Sequence, residues 1–271
     1  MNEILSILSY TFIQRALICG ISISLCAALI GVILVLKNYS MIGHGLGEVG
    51  FASIALAVAL SLPPIYVSIP LVVIASFIIM FISQRKGESG DVTIALVSTG
   101  ALAIGIIITA ISTGFNVDVA NYMFGSILSM TKSDVIISVL MSIILIIGFV
   151  FFYNRLFLIT YDESFAKTKG INVTTYQFLI SLMTAIIVVL GMRMMGTLLI
   201  SSLIVFPAFI AKGLTKSFKE LIVASALISV VCFILGTILS FFINLPTGAS
   251  IAIIYIGLAI ISKVINVVVK A

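Results

Sequence analysis

Charge is the scarcest commodity in this chain. Fourteen Lys or Arg and nine Asp or Glu make up 8% of 271 residues, while 62% are apolar. A soluble domain carries about 25% charged residues, so a water-facing surface cannot be assembled here. The same balance excludes a disordered chain, which needs low hydrophobicity and high charge. Tryptophan is absent and histidine occurs once. The three cysteines, Cys19, Cys26 and Cys232, stand singly inside apolar runs, which excludes a disulfide framework and a C-x-x-C metal motif. They read as small buried hydrophobes. No second histidine is available for a metal triad or a Ser–His pair. Neither a G-x-S-x-G segment nor a P-loop is found, and an H-E-x-x-H protease is unsupported. The excess of +5 could invite nucleic acid. However, no basic cluster exceeds Arg85-Lys86, so nucleic-acid binding is discarded.

What the chain does have is long apolar runs. Unbroken runs argue against a β-barrel, which alternates polar and apolar residues. The expectation is an all-α, polytopic helical membrane protein forming one domain over 1–271. A helix crossing about 30 Å of hydrocarbon needs about 20 residues. Candidate spans are 16–36, 45–62, 65–83, 92–112, 135–153, 176–211, 221–243 and 249–262. The 36 residues of 176–211 would make one helix of about 54 Å, too long for one crossing. Arg193 to Gly196 supplies a tight turn, so two short spans are expected, or one span with a re-entrant half-helix. The total is about nine (eight to nine). Met1-Asn2-Glu3 lacks the basic start of a cleavable signal, and the first run is expected to remain as a span.

The cations support nine crossings. Lys37, Arg85, Lys86, Arg155, Lys167, Lys169, Lys212, Lys216, Lys219, Lys263 and Lys270 fall in groups separated by two spans each time. All eleven can therefore share the cytoplasmic side, with the N-terminus outside and the C-terminus inside. Lys167 and Lys216 are expected inside, Asn121 and Asn244 outside. Segment 116–130 fits a short interfacial helix on the outside. The polar stretch 154–173 inside fits a short helix from about Asp162 to Lys169, ended by Gly170.

Charges inside spans are functional candidates by default. Arg15 and Arg193 lie near span ends, where snorkelling to the headgroups explains them. His44 and Glu48 differ. Their i, i+4 spacing places both on one helical face. Imidazole and carboxylate are ligands for Zn²⁺, Mn²⁺ or Fe²⁺, and the surrounding Gly43, Gly45, Gly47 and Gly50 leave room for an ion path. A capped helix start with a satisfied polar pair is the alternative.

Five segments carry a resemblance. Met41-Ile-Gly-His44-Gly-Leu-Gly-Glu48-Val-Gly-Phe51, Tyr122-Met-Phe-Gly-Ser-Ile-Leu128, Asp162-Glu163-Ser-Phe-Ala166-Lys-Thr-Lys-Gly170, Gly196-Thr-Leu-Leu-Ile-Ser-Ser-Leu-Ile-Val-Phe-Pro207-Ala208 and Asn244-Leu-Pro-Thr-Gly-Ala-Ser-Ile251 occur in this order. Together they resemble the metal-ion ABC transporter permease family, the membrane subunits of zinc, manganese and iron importers. One departure concerns the first segment. The family pattern reads Asp, three residues, then His; here His44 comes first and Glu48 follows, so acid and imidazole have exchanged places.

The resemblance implies the permease subunit of an ABC importer for a divalent transition metal, zinc, manganese or iron, in a bacterial-type cytoplasmic membrane. It implies metal contacts at His44 and Glu48, and ATPase coupling through Asp162, Glu163, Ala166 and Gly170, with Ala166 on the docking face. Implied partners are cytoplasmic ATP-binding subunits, an external metal-binding protein and a second permease copy, all within membrane lipid. ATP would be consumed by the partner subunits, and no cofactor would be held permanently. A secondary ion-coupled metal carrier is the alternative function, and an intramembrane enzyme the weakest. The loop at 162–170 separates the first two, because a carrier needs no docking element.

Overall fold

The computed structural model describes residues 11–83, 90–112, 132–243 and 245–270. The described residues form helices only: α1 (Thr11–Leu36), α2 (Ile42–Ala59), α3 (Pro64–Ser83), α4 (Gly90–Ser112), α5 (Lys132–Tyr161), α6 (Glu163–Thr168), α7 (Val173–Met195), α8 (Thr197–Leu214), α9 (Phe218–Ile243) and α10 (Thr247–Lys270). Among them, nine are long and apolar enough to cross a membrane, all except α6. The interfacial helix expected at 116–130, the Tyr122–Leu128 segment, Arg85, Lys86, Asn121 and Asn244 lie outside the described residues.

The division of 176–211 rests on one residue. Gly196 sits at φ 84°, ψ 162°, ending α7 and starting α8. That backbone region is closed to residues with a Cβ. Its N–H donates to the Met192 carbonyl at 2.9 Å, so α7 is capped at the break. A Cβ at Gly191 would lie 2.3 Å from Ile200, so the two helices fold back into contact. The two-span reading therefore holds.

Three other junctions end in Schellman motifs, with the carbonyls of the last turn satisfied locally. After α1, Tyr39 N–H donates to Leu34 and Asn38 N–H to Val35, with Asn38 at φ 60°. After α2, Leu62 and Ser61 donate to Ala57 and Val58, with Ser61 at φ 54°. After α6, Ile171 and Gly170 donate to Ala166 and Lys167, with Gly170 at φ 74°. Two span ends move outward from their expected positions. α5 continues past 153 to Tyr161 because Leu156 and Ile159 still pack into the core at 0% exposure. α10 continues past 262 to Lys270.

α1 is the axis of the bundle, packing on α5, α7, α8 and α9. α2 packs on α3, α4, α7 and α8, and α10 closes on α8 and α9. α1 and α7 are the most enclosed, whereas α4 and α5 turn most of their surface outward. The outward surface is apolar, as at Leu96, Ile111, Ile147 and Phe151, which suits lipid. All three cysteines are buried and free. Hydrocarbon gives helices no hydrophobic reason to associate, so close backbone approach and interhelical hydrogen bonds take over. Ser229 Oγ donates to the Ser24 carbonyl at 3.0 Å, and Ser76 Oγ to the Ser181 carbonyl at 3.0 Å. At the α1–α8 crossing, a Cβ on Gly31 would sit 1.9 Å from the Ile204 carbonyl oxygen. Gly31→Ala must push two backbones apart, so we expect a loss of about 1–3 kcal/mol or more. Gly257→Ala, with nothing within 4 Å of the added methyl, should be neutral or gain up to about 1 kcal/mol. Thermal unfolding of both variants in detergent checks the contrast.

Candidate ion path and docking helix

His44 and Glu48 lie on α2 with His44 Nε2 3.2 Å from Glu48 Oε1. The i, i+4 geometry brings them together, as the spacing predicts. No side-chain cap precedes them, since Met41 is the N-cap residue; the capped-start alternative loses that half of its support. Glycines let α2 settle deep. A Cβ on Gly45 would meet Ile94 at 2.7 Å, and one on Gly50 would meet Met192 Sδ at 2.5 Å.

Contacts along α1 locate the pair in depth. Cys19 Sγ lies 3.0 Å from Met194 Sδ. Twelve residues on, about 18 Å along the helix, Gly31 meets Ile204. Six residues further, Lys37 meets Glu163. α2 runs back along this scale, with Gly43 against Ile204, Gly47 against Thr197 and Gly50 against Met192. His44 and Glu48 therefore fall between the levels of Gly31 and Cys19, in the middle of the bundle rather than at its rim. Even so, the His44 side chain is 54% exposed and that of Glu48 20%. Among the described residues no group of three or more His, Cys, Asp or Glu converges on one point. Two ligands from one chain leave a metal's coordination incomplete.

The docking candidate is α6. Asp162 is its N-cap, with Oδ1 accepting the Phe165 N–H at 2.9 Å. Gly170 ends it in the left-handed region, matching the expected capped helix. The expected docking residue Ala166 sits differently from its neighbours. Ala166 is 0% exposed and belongs to the main apolar core. Its methyl therefore packs into the bundle and is not on the surface of this chain. Phe165, 46% exposed, is the apolar residue that α6 presents outward, with Lys169 Nζ 5.5 Å from its ring centroid. Ala166→Arg should lower the yield of folded protein in the membrane. Phe165→Asp should leave it folded, as detergent-extracted size-exclusion profiles of the two variants would show.

The structure also partners cations that read as topology signals or snorkellers. Arg193 Nη2 meets Asp134 Oδ1 at 3.1 Å, joining α7 to α5; it is not simply reaching for headgroups. Asp134 went unnoticed because it flanks an expected span, although an acid beside an apolar run is itself a signal. Arg155 donates to the Tyr176 hydroxyl. Lys37 is paired with Glu163, which also accepts from Gln177 Nε2 at 3.0 Å. Arg15 is half-buried in the second turn of α1.

The described residues thus form a bundle with nine candidate spans, a polar pair at mid-depth and a capped helix on one end. The chain belongs to the ABC 3 transport family, whose model matches residues 9–266. It is the membrane-spanning permease component of such a system. It is 28% identical over 245 residues to the high-affinity zinc uptake system membrane protein ZnuB of Buchnera aphidicola subsp. Schizaphis graminum (strain Sg), covering 90% of this chain and 94% of that one. It is 27% identical over 244 residues to the manganese import system permease protein ScaB of Streptococcus gordonii, covering 90% and 87%. Among solved structures, PsaBC from Streptococcus pneumoniae in complex with Fab superposes with a TM-score of 0.85 at 26% identity, covering 96% of this chain and 94% of that one.

Proposed function

We propose that this chain, as one permease domain, carries a divalent transition-metal ion, zinc or manganese, inward across the cytoplasmic membrane. His44 and Glu48 contact the ion. The observation that carries this reading is an exposed imidazole at mid-depth of a membrane bundle. Lipid is a poor neighbour for such a group, so the face bearing it meets water, an ion or another protein surface. A second permease copy, identical or homologous, opposing this face would add two more ligands and complete a four-coordinate site. Nitrogen and oxygen ligands without thiolate hold zinc or manganese loosely enough to release it. The zinc and manganese systems named among the relatives support the same two metals. Exchanging the acid and the imidazole shifts each ligand about 6 Å along the axis, which alters metal preference within the same path.

Cytoplasmic ATP-binding subunits dock on α6 through Phe165 and hydrolyse the ATP, while an external binding protein delivers the ion. A capped helix with an outward aromatic residue favours this arrangement over an ion-coupled carrier. The chain crosses with its N-terminus outside, so α6 is cytoplasmic.

His44→Ala removes the nitrogen ligand, and Glu48→Gln keeps size while removing charge. Both should reduce uptake of radiolabelled zinc or manganese to background in cells lacking other uptake systems, at parental protein levels. Parental rates for every divalent metal tried would make the pair structural. Sidedness is checked separately by a single cysteine replacing Lys167 in a cysteine-free background. Impermeant thiol reagents should label it only in inside-out vesicles.

A further inference from the structure

Glu163 opens α6, but its carboxylate points back into the bundle. Its Oε1 accepts from Lys37 Nζ and, at 3.0 Å, from Gln177 Nε2. Lys37 follows the last residue of α1 and keeps 6% of its side chain exposed. Gln177 lies in the second turn of α7 at 3% exposure. Tyr39 faces the same carboxylate: burial pushes its phenol pKa up, and the charge of Glu163 pushes it further. One carboxylate thus joins the docking helix, the α1–α2 turn and α7.

The turn it grips is stiff. Asn38 closes the Schellman motif after α1, and Ile42 N–H then donates to the Tyr39 carbonyl at 3.1 Å. Gly45 N–H donates to Met41 at 3.0 Å, so α2 begins with no slack between it and the turn. His44 is seven residues beyond Lys37. A buried ammonium held by one carboxylate cannot lag behind when that carboxylate moves, because leaving it unpaired is costly. Ala166 also seats α6 in the apolar core, while Phe165 and Lys167 are exposed; the Glu163 carboxylate is the charged link from α6 to the turn before α2.

We propose that Glu163 is a positioning residue. Through Lys37 it converts displacement of α6 into displacement of the N-terminal end of α2, the segment carrying His44 and Glu48. Gln177 anchors the other side of the carboxylate to α7. This inference rests on the reading of α6 as the ATPase-docking helix and of the α2 pair as the ion path. It adds that the two communicate through one charge pair, a buried Lys37 ammonium on a Glu163 carboxylate whose side chain keeps 42% of its surface exposed.

The test uses the full complex, permease with its ATP-binding subunits in proteoliposomes and binding protein outside. ATP hydrolysis and zinc or manganese uptake are measured on the same sample. Glu163→Gln keeps shape and hydrogen bonding but loses the charge. The expected result is an assembled complex that still hydrolyses ATP, with metal moved per ATP reduced about tenfold, as befits a coupling interaction. The exchange Lys37→Glu with Glu163→Lys should restore most of that ratio, whereas each single reversal should not. A ratio equal to the parent's in Glu163→Gln overturns the proposal. So does a proportional fall of hydrolysis and uptake that the exchange fails to rescue, which would make the pair a plain fold contact. If Glu163→Gln does not assemble, Gln177→Met is read in the same way. It deletes only the α7 contact, and a ratio about two- to fivefold lower supports the strut, an unchanged ratio overturns it. Failure of the underlying readings looks different. Phe165→Asp with parental assembly and hydrolysis would remove α6 as the docking helix, and His44→Ala with parental uptake would remove the ion path.

Discussion

Hydrocarbon offers a polypeptide no hydrogen-bond partners, and everything in this molecule follows from that. Each backbone N–H and carbonyl within the spans must be satisfied inside its own helix. The described residues are accordingly mostly helical, and at the ends of α1, α2, α6 and α7 Schellman motifs or a capped glycine satisfy freed carbonyls. Polar side chains obey the same rule. Ser229, Ser76 and Tyr255 each bond to a backbone or hydroxyl group of a neighbouring helix or of their own bundle interior.

With no hydrophobic force to drive helix against helix, the bundle is assembled by shape. Gly31 admits the Ile204 carbonyl, Gly20 the Phe233 ring and Gly236 the Ile251 side chain. α2 carries most of its glycines at the contacts that seat it against α4, α7 and α8. A helix so closely held is a poor site for large independent motion. Movement of the proposed ion-path residues would then be most economically produced by shifting the whole start of α2, where the stiff turn after Lys37 offers a handle.

Among the described residues, the ion pairs that join one helix to another lie toward the two ends of the bundle. Near one end, Asp134 and Arg193 join α5 to α7; near the other, Lys37, Glu163 and Gln177 join α1, α6 and α7. Between them lies the single exposed imidazole with its carboxylate. This distribution places structural pairs at the ends and leaves the middle to the pair that the proposed transport needs.

Sequence alone determined the class of protein, the nine candidate spans among the described residues, the break at Gly196 and the capped helix after α5. These depend on local quantities: apolar run length, the φ that only glycine tolerates, and the Asp162 and Gly170 caps. The i, i+4 contact of His44 and Glu48 was legible for the same reason, since helical geometry settles it without tertiary help. Only the tertiary structure decided which charges meet and which residues are covered. Arg193 finds Asp134 across 59 positions and Lys37 finds Glu163 across 126. Ala166 turns inward, and His44 sits at mid-depth rather than at a rim. Those outcomes depend on the rotation and axial offset of each helix. A span that is apolar all round reveals that it crosses, but carries too little asymmetry to say which face it turns to its neighbours.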